Sequence, residues 1–416
     1  MTVEEAPGRG QARVMGLIAL AHGASHFYQL ALPPLFPHLK EAFAVSYTEL
    51  GTLMTVFYVS SGVAQTGAGF LVDRFPARTV LLGGLALLCA AIALMGLAPA
   101  FWMLFPLAAL AGLGNSVFHP ADLSILTASI RRTRHGRAYG FHTLGGNLGY
   151  ALAPLVMVGL ALELGWRSAL IVAGAVGLLL FLALFFNRHL FLDASDEAHA
   201  VPRPRVGEDP VAASTGRGWL AAARQGVAPL VSVPVMLCFA FFIFLSGATI
   251  GLQSFFPALM DQLYGLPIAE GAPLLSVFLF GASGGVLLGG FLAERTDARH
   301  QLVIGAGLAS ASAFFVAISL GLFPAAVLGV PFALAGILVG LTFPSRDMLV
   351  RETAAADARG RVFGFVYSGL DTGAAVAPLI VGLLLDHGDP RAVMWLIAAL
   401  LLLGVVAAAL AKSRRG

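Results

Sequence analysis

Twelve stretches of about 20 apolar residues punctuate the chain, and each, coiled as a helix, can cross a hydrocarbon layer roughly 30 Å thick. They begin near Val14, Glu49, Val80, Phe101, Ala138, Trp166, Leu230, Glu270, Gln301, Ala325, Val362 and Arg391. The runs are continuous and do not alternate, which excludes a closed β-barrel. With 58% hydrophobic and 11% charged residues, the chain is also too apolar for a water-facing globule, where about a quarter of residues are charged. The reading is an all-α integral membrane protein with 12 transmembrane helices, numbered here as spans 1 to 12.

The chain also repeats itself. Arg137-Ala138-Tyr139-Gly140-Phe141, continuing to Ala153-Pro154-Leu155, recurs 224 residues later as Arg361-Val362-Phe363-Gly364-Phe365 and Ala377-Pro378-Leu379. Gly69 to Arg74 returns as Gly290 to Arg295, and Phe36-Pro37 as Phe256-Pro257, at offsets of 221 and 220. Three anchors at nearly one offset predict two pseudo-symmetric six-helix bundles, over residues 1–187 and 230–416, packed about a central axis. The one long polar stretch, 188–229, contains Pro202-Arg203-Pro204-Arg205 and reads as the linker.

If both termini are cytoplasmic, only Lys40, Arg167 and Arg391 of the 25 Lys and Arg fall on the opposite side. That satisfies the positive-inside rule and predicts a multi-pass protein of a bacterial-type plasma membrane with its termini inside. Clusters such as Arg131-Arg132-Thr133-Arg134 are then topological signals in contact with a lipid bilayer, and no nucleic acid is expected as a partner. Cys89 and Cys238 lie within spans, so neither a disulfide framework nor a CxxC metal site is expected. The first apolar run has no small-residue cleavage motif after it and should remain as span 1.

Small residues recur every fourth position in span 5 at Gly145, Gly149 and Ala153, and in span 11 at Gly369, Gly373 and Ala377. Such stripes let two backbones approach closely. Polar residues form stripes of their own. His22, His26 and Gln29 share one face of span 1, Asn115, His119 and Asp122 one face of span 4, and Tyr58, Ser61 and Gln65 one face of span 2. Asp371 in span 11 is the repeat-mate of Asn147 in span 5, and Gln253 adds an amide in span 7. A charge at mid-membrane costs about 2.5–3.5 kcal/mol, which makes each such residue a functional candidate.

His22 and His26 at spacing four could ligate a divalent metal. The chain lacks the His-Glu-x-x-His pattern, however, so the expectation is a polar lining that hydrogen-bonds substrate, with no metal and no cofactor.

Gly69-x-x-x-Asp73-Arg74-x-x-x-Arg78 resembles the loop signature of the major facilitator superfamily, with Pro76 where a glycine is usual. Gly112-x-Gly114-Asn115-Ser116-Val117-Phe118-His119-Pro120, Gly145-Gly146-Asn147-x-Gly149 and His22 resemble the fosmidomycin-resistance-type branch. Where that branch leads one to expect Asn-Asp after His22, this chain has Ser25-His26. The resemblance implies that spans 1, 4, 7 and 10 line a cavity and that spans 2, 5, 8 and 11 form the seam between the halves. With the polar stripes, the expected substrate cavity is His22, His26, Gln29, Tyr58, Gln65, Asn115, His119, Asn147 and Gln253, and the intramembrane carboxylates Asp371 and Asp122, with His26, are the expected proton carriers. Asp73, Arg74 and Arg78 with Glu294 and Arg295 would latch one gate; from the repeat, which aligns Arg346, beside Asp347, with Asp122, that pair is expected to close the other. The expected function is proton-coupled efflux of a small organic compound by a monomer that is not an enzyme. Proton-coupled uptake of a small organic anion is the alternative, and transport of a metal or metal complex a third.

Overall fold

The computed structural model describes residues 8–192, 230–295, 300–354 and 359–411, and residues 193–229 of the expected linker lie outside them. In chain order the helices are α1 (Gly8–Gln29), α2 (Phe36–Phe43), α3 (Tyr47–Arg74), α4 (Ala77–Met95), α5 (Leu104–Asn115), α6 (Phe118–Ser129), α7 (His135–Leu164) and α8 (Trp166–Asn187). The second half has α9 (Val233–Tyr264), α10 (Ile268–Arg295), α11 (His300–Ser319), α12 (Gly329–Thr353), α13 (Arg359–Asp386) and α14 (Pro390–Leu410). Ten spans among the described residues are apolar enough to be recognised by composition alone. The remaining two of the twelve are α1 and α3, whose polar stripes lower their apolar content.

α5 and α6 together make the fourth span, expected as one helix but broken at Ser116 and Val117. Pro120 explains the break, because a proline four residues on offers no N–H to the Ser116 carbonyl. α2 lies between spans 1 and 2. A capping box at Ser46 and Glu49 then starts α3, with the Glu49 N–H on Ser46 Oγ at 3.1 Å and the Ser46 N–H on Glu49 Oε2 at 2.7 Å.

Packing repeats as the sequence does. Spans 1 and 5 (α1, α7), 2 and 4 (α3, α5), and 3 and 6 (α4, α8) pair in the first half, as 7 and 11 (α9, α13), 8 and 10 (α10, α12), and 9 and 12 (α11, α14) do in the second. The glycine stripes explain the first pairing. A Cβ on Gly145 or Gly149 would run into the backbone of Ala19 or Gly23 in α1, and one on Gly369 or Gly373 into that of Phe239 or Ile243 in α9. Only glycine permits backbones to meet at that distance.

The halves meet along α3 with α13 and α7 with α10. Hydrogen bonds join the halves toward the end of the bundle opposite the start of α1, here called the far end. Thr55 Oγ1 donates to the Ala375 carbonyl at 2.6 Å, and the Tyr47 and Thr48 amides donate to Asp386 at 2.8 Å each. Phe36 meets Phe255 at the same end with ring centroids 5.1 Å apart. At the near end of the expected linker, residues 188–190 form a 3₁₀ turn that is fastened down. Arg78 donates to the Phe191 carbonyl at 3.0 Å, the Leu192 amide donates to Ser129 Oγ at 2.9 Å, and Phe191 is fully buried.

Candidate functional site

Where α1, α6 and α7 cross, four histidines and one carboxylate gather. Asp122, 0% exposed, has Oδ2 at 3.2 Å from both His22 Nδ1 and His142 Nε2. The His22 and His142 rings stack at 3.6 Å, with His26 4.4 Å and His119 5.0 Å from His22. A Cβ on Gly146 would stand 2.8 Å from His22 Cδ2 and from His26 Cε1, so this glycine makes room for the rings. His22 and Asp122 are enclosed, whereas His119 is exposed although it lies in the middle of a span. The pocket therefore has a sealed floor and one open side.

A second polar chain runs beside it. Tyr150 of α7 donates to Gln29 Oε1 at 2.6 Å, the Gln29 amide donates to Asn115 Oδ1 at 3.2 Å, and the Asn115 amide donates to Ser61 Oγ at 2.9 Å. Four helices are thereby tied through side chains, and the Tyr150 ring lies 4.3 Å from that of His26. Each such bond contributes on the order of 1 kcal/mol net, and more is lost if a buried partner is left unpaired.

Sequence reasoning singled out His22, His26, His119 and Asp122, and the structure brings them together. It missed His142 and Tyr150. The signal for His142 was present: it stands four and seven residues before Gly146 and Gly149, on the face that the small-residue stripe turns toward span 1.

Other candidates lie apart. Asp371 is half-buried at the seam, close enough to Gly62 of α3 that a Cβ there would stand 3.0 Å from its own Cβ, and it has no hydrogen bond or ion pair among the described residues. Tyr58 is buried, Gln65 and Asn147 are half-buried, and Gln253 is buried with an unpartnered Oε1. Asp73 and Arg74 are exposed at the end of α3, while the side chains of Glu294 and Arg295 lie outside the described residues.

The expected approach of Asp122 to Arg346 is not made in this conformation. Asp122 is turned toward α1 and α7, and Arg346 Nε donates to Asp347 Oδ1 at 3.1 Å. Tyr367 donates to the same oxygen at 2.7 Å. The Arg346 guanidinium also lies 5.1 Å from the ring centroid of Phe242 and 4.1 Å from that of Phe343. At the repeat offsets these three are the mates of Asp122, His22 and His119. Each half thus builds a cluster at the same three positions, one from a carboxylate and imidazoles and the other from a guanidinium and phenyl rings.

Twin six-helix bundles, each with a polar cluster at repeat-equivalent positions, define the architecture of a secondary transporter. The sequence matches the Major Facilitator Superfamily over residues 17–355 and 328–415, and the chain belongs to that family. It is 25% identical over 409 residues to the fosmidomycin resistance protein of Escherichia coli (strain K12), covering 96% of this chain and 93% of that one. It is 26% identical over 406 residues to the uncharacterized MFS-type transporter YfnC of Bacillus subtilis (strain 168), with the same coverage. Among solved structures, a bacterial homolog of the human lysosomal transporter Spinster, inward-facing and unoccupied, superposes with a TM-score of 0.74 at 17% identity over 98% of this chain and 97% of that one. The protein is a multi-pass membrane transporter of small molecules and not an enzyme.

Proposed function

We propose that this transporter exports a small organic compound from the cytoplasm in exchange for protons by alternating access. The distribution of Lys and Arg supports cytoplasmic termini, which makes the end held by Thr55, Tyr47 and Thr48 the outer face. The observation that carries the proton reading is Asp371, a carboxylate in the seam between α3 and α13 that no described group pairs with. α3 and α13 must part and meet in each cycle, and a proton on Asp371 removes a charge from the surface they share. A proton that binds one state better than the other shifts the balance by that difference in affinity. Asp122 and His26, the other two proton candidates, lie in the histidine pocket that faces the cargo.

Export is supported by the relative whose name records fosmidomycin resistance. The test is growth inhibition of an efflux-deficient bacterial host expressing wild type or Asp371→Asn, across compounds that include fosmidomycin. Protection by wild type alone is the expected result. Equal protection by both removes Asp371 from coupling, and sensitisation by wild type moves the uptake reading ahead.

A further inference from the structure

We propose that His22, His26 and His119 form a binding site for a divalent transition-metal ion of the zinc class, with Asp122 as the carboxylate that orients His22. One ligating atom from each of the three histidines can be chosen so that all lie within 4.8 Å of one another. Three nitrogens around a tetrahedral ion stand roughly 3.3 Å apart, given metal–nitrogen bonds of about 2.0–2.1 Å. Modest rotation of the rings closes the difference.

Five features favour a cation over a simple polar lining. His22 Nδ1 stands 3.2 Å from Asp122 Oδ2, buried and without a hydrogen bond, and a small turn of the ring would make that bond and leave Nε2 for an ion in the carboxylate–histidine–metal order that metal sites use. His26 Nδ1 and Asp122 Oδ1 are buried with no hydrogen-bond partner, which is costly in a pocket that carries no compensating charge. A buried carboxylate beside the imidazoles disfavours an anion in their place. Gly146 keeps the side chain of α7 out of the space. His119, exposed where His22 is 3% exposed, provides the entry and leaves the fourth position of the ion turned to the open side of the pocket. A closed structural site has four protein ligands, while three ligands and an open position suit an ion that must exchange or that binds a second molecule. The site deepens the transport reading by making the cargo, or part of it, a metal ion or a metal-bound oxygen donor.

The experiment uses full-length, tag-free, metal-stripped protein in detergent, titrated with Co²⁺ as a spectroscopic stand-in for Zn²⁺. We expect one equivalent to bind with the strong visible absorption of a four-coordinate nitrogen-ligated ion, displaced by Zn²⁺. His119→Ala, at an exposed position that leaves the fold intact, is expected to abolish the spectrum. Asp122→Asn should weaken binding 10- to 100-fold, and His387→Ala at the far end should have no effect. Absence of saturable binding in the wild type, or a spectrum retained in His119→Ala, overturns the site. Neither result bears on proton-driven export, which the growth assay reads separately.

Discussion

Asp386, the last residue of α13, caps α3 across the boundary between halves: its Oδ2 accepts both the backbone N–H of Thr48 at 2.8 Å and the Thr48 hydroxyl at 2.7 Å. Oδ1 takes the Tyr47 N–H at 2.8 Å, and Lys40 Nζ stands 3.9 Å away. The first amides of any helix lack partners and its N-terminus carries partial positive charge, so a carboxylate is favoured there. A carboxylate at the end of its own helix is disfavoured by the same rule. Asp386 is therefore satisfied only while the far end is shut.

Asp386→Ala should accordingly shift the molecule toward the far-open state. These groups are partly solvated, so about 1 kcal/mol and a roughly fivefold change in populations are expected. Distances between spin labels at the exposed positions Glu41 and His387 report it, and an unchanged distribution would remove the clasp from the gate.

Gly149→Val forces side-chain atoms into the Gly23 backbone and should destabilise the α1–α7 pair by roughly 1–3 kcal/mol. Gly159, on the same helix, faces open space, with no atom within 4 Å of where a Cβ would stand, and Gly159→Ala should be near neutral. Thermal unfolding in detergent compares the two. Equal losses would mean that glycine here serves something other than close approach.

Tyr150→Phe removes the donor that holds Gln29 and should cost on the order of 1 kcal/mol. Because Gln29 bonds Asn115 in turn, the double variant with Asn115→Ala is expected to fall short of the sum of the singles by several tenths of a kcal/mol. Strict additivity would show that the chain of bonds acts as separate pairs.

The combination of Asp122→Arg with Arg346→Asp should not restore transport lost in either single variant. Asp122 is fully buried at the sealed floor of its pocket, with no room for a guanidinium, and Arg346 is engaged with Asp347. Recovery by the swap would show that the two meet in another state of the cycle.

An impermeant maleimide applied to intact cells should label Glu163→Cys, exposed at the far end, and spare Arg137→Cys until the membrane is opened. The reverse pattern would invert the orientation, and with it the direction assigned to every gate.

Much of the fold was legible because bilayer thickness sets the length of an apolar run and the repeat sets the architecture. Even α1 and α3, lowered in apolar content by His22, His26, Tyr58 and Gln65, stood out by length and position. The site was legible in its stripes, since residues three and four apart must share a helix face. What those stripes could not reveal was partnership between helices. His142 and Tyr150 belong to span 5, and only the crossing angle set by Gly145, Gly146 and Gly149 brings them to span 1. The trans cap by Asp386 escaped for the same reason, because nothing local marks a carboxylate whose partner lies 338 residues away. Arg346 was paired with Asp122 on the strength of the repeat offset alone, which locates equivalent positions and not touching ones.

The two three-residue clusters at repeat-equivalent positions have a consequence for anything held between the halves. One cluster presents a carboxylate among imidazoles, whereas the other presents a guanidinium already paired with Asp347 and flanked by the phenyl rings of Phe242 and Phe343. A solute with a hydrogen-bonding end and an aromatic end therefore has one preferred way round between the halves, and turning it end for end would cost it both favourable contacts at once.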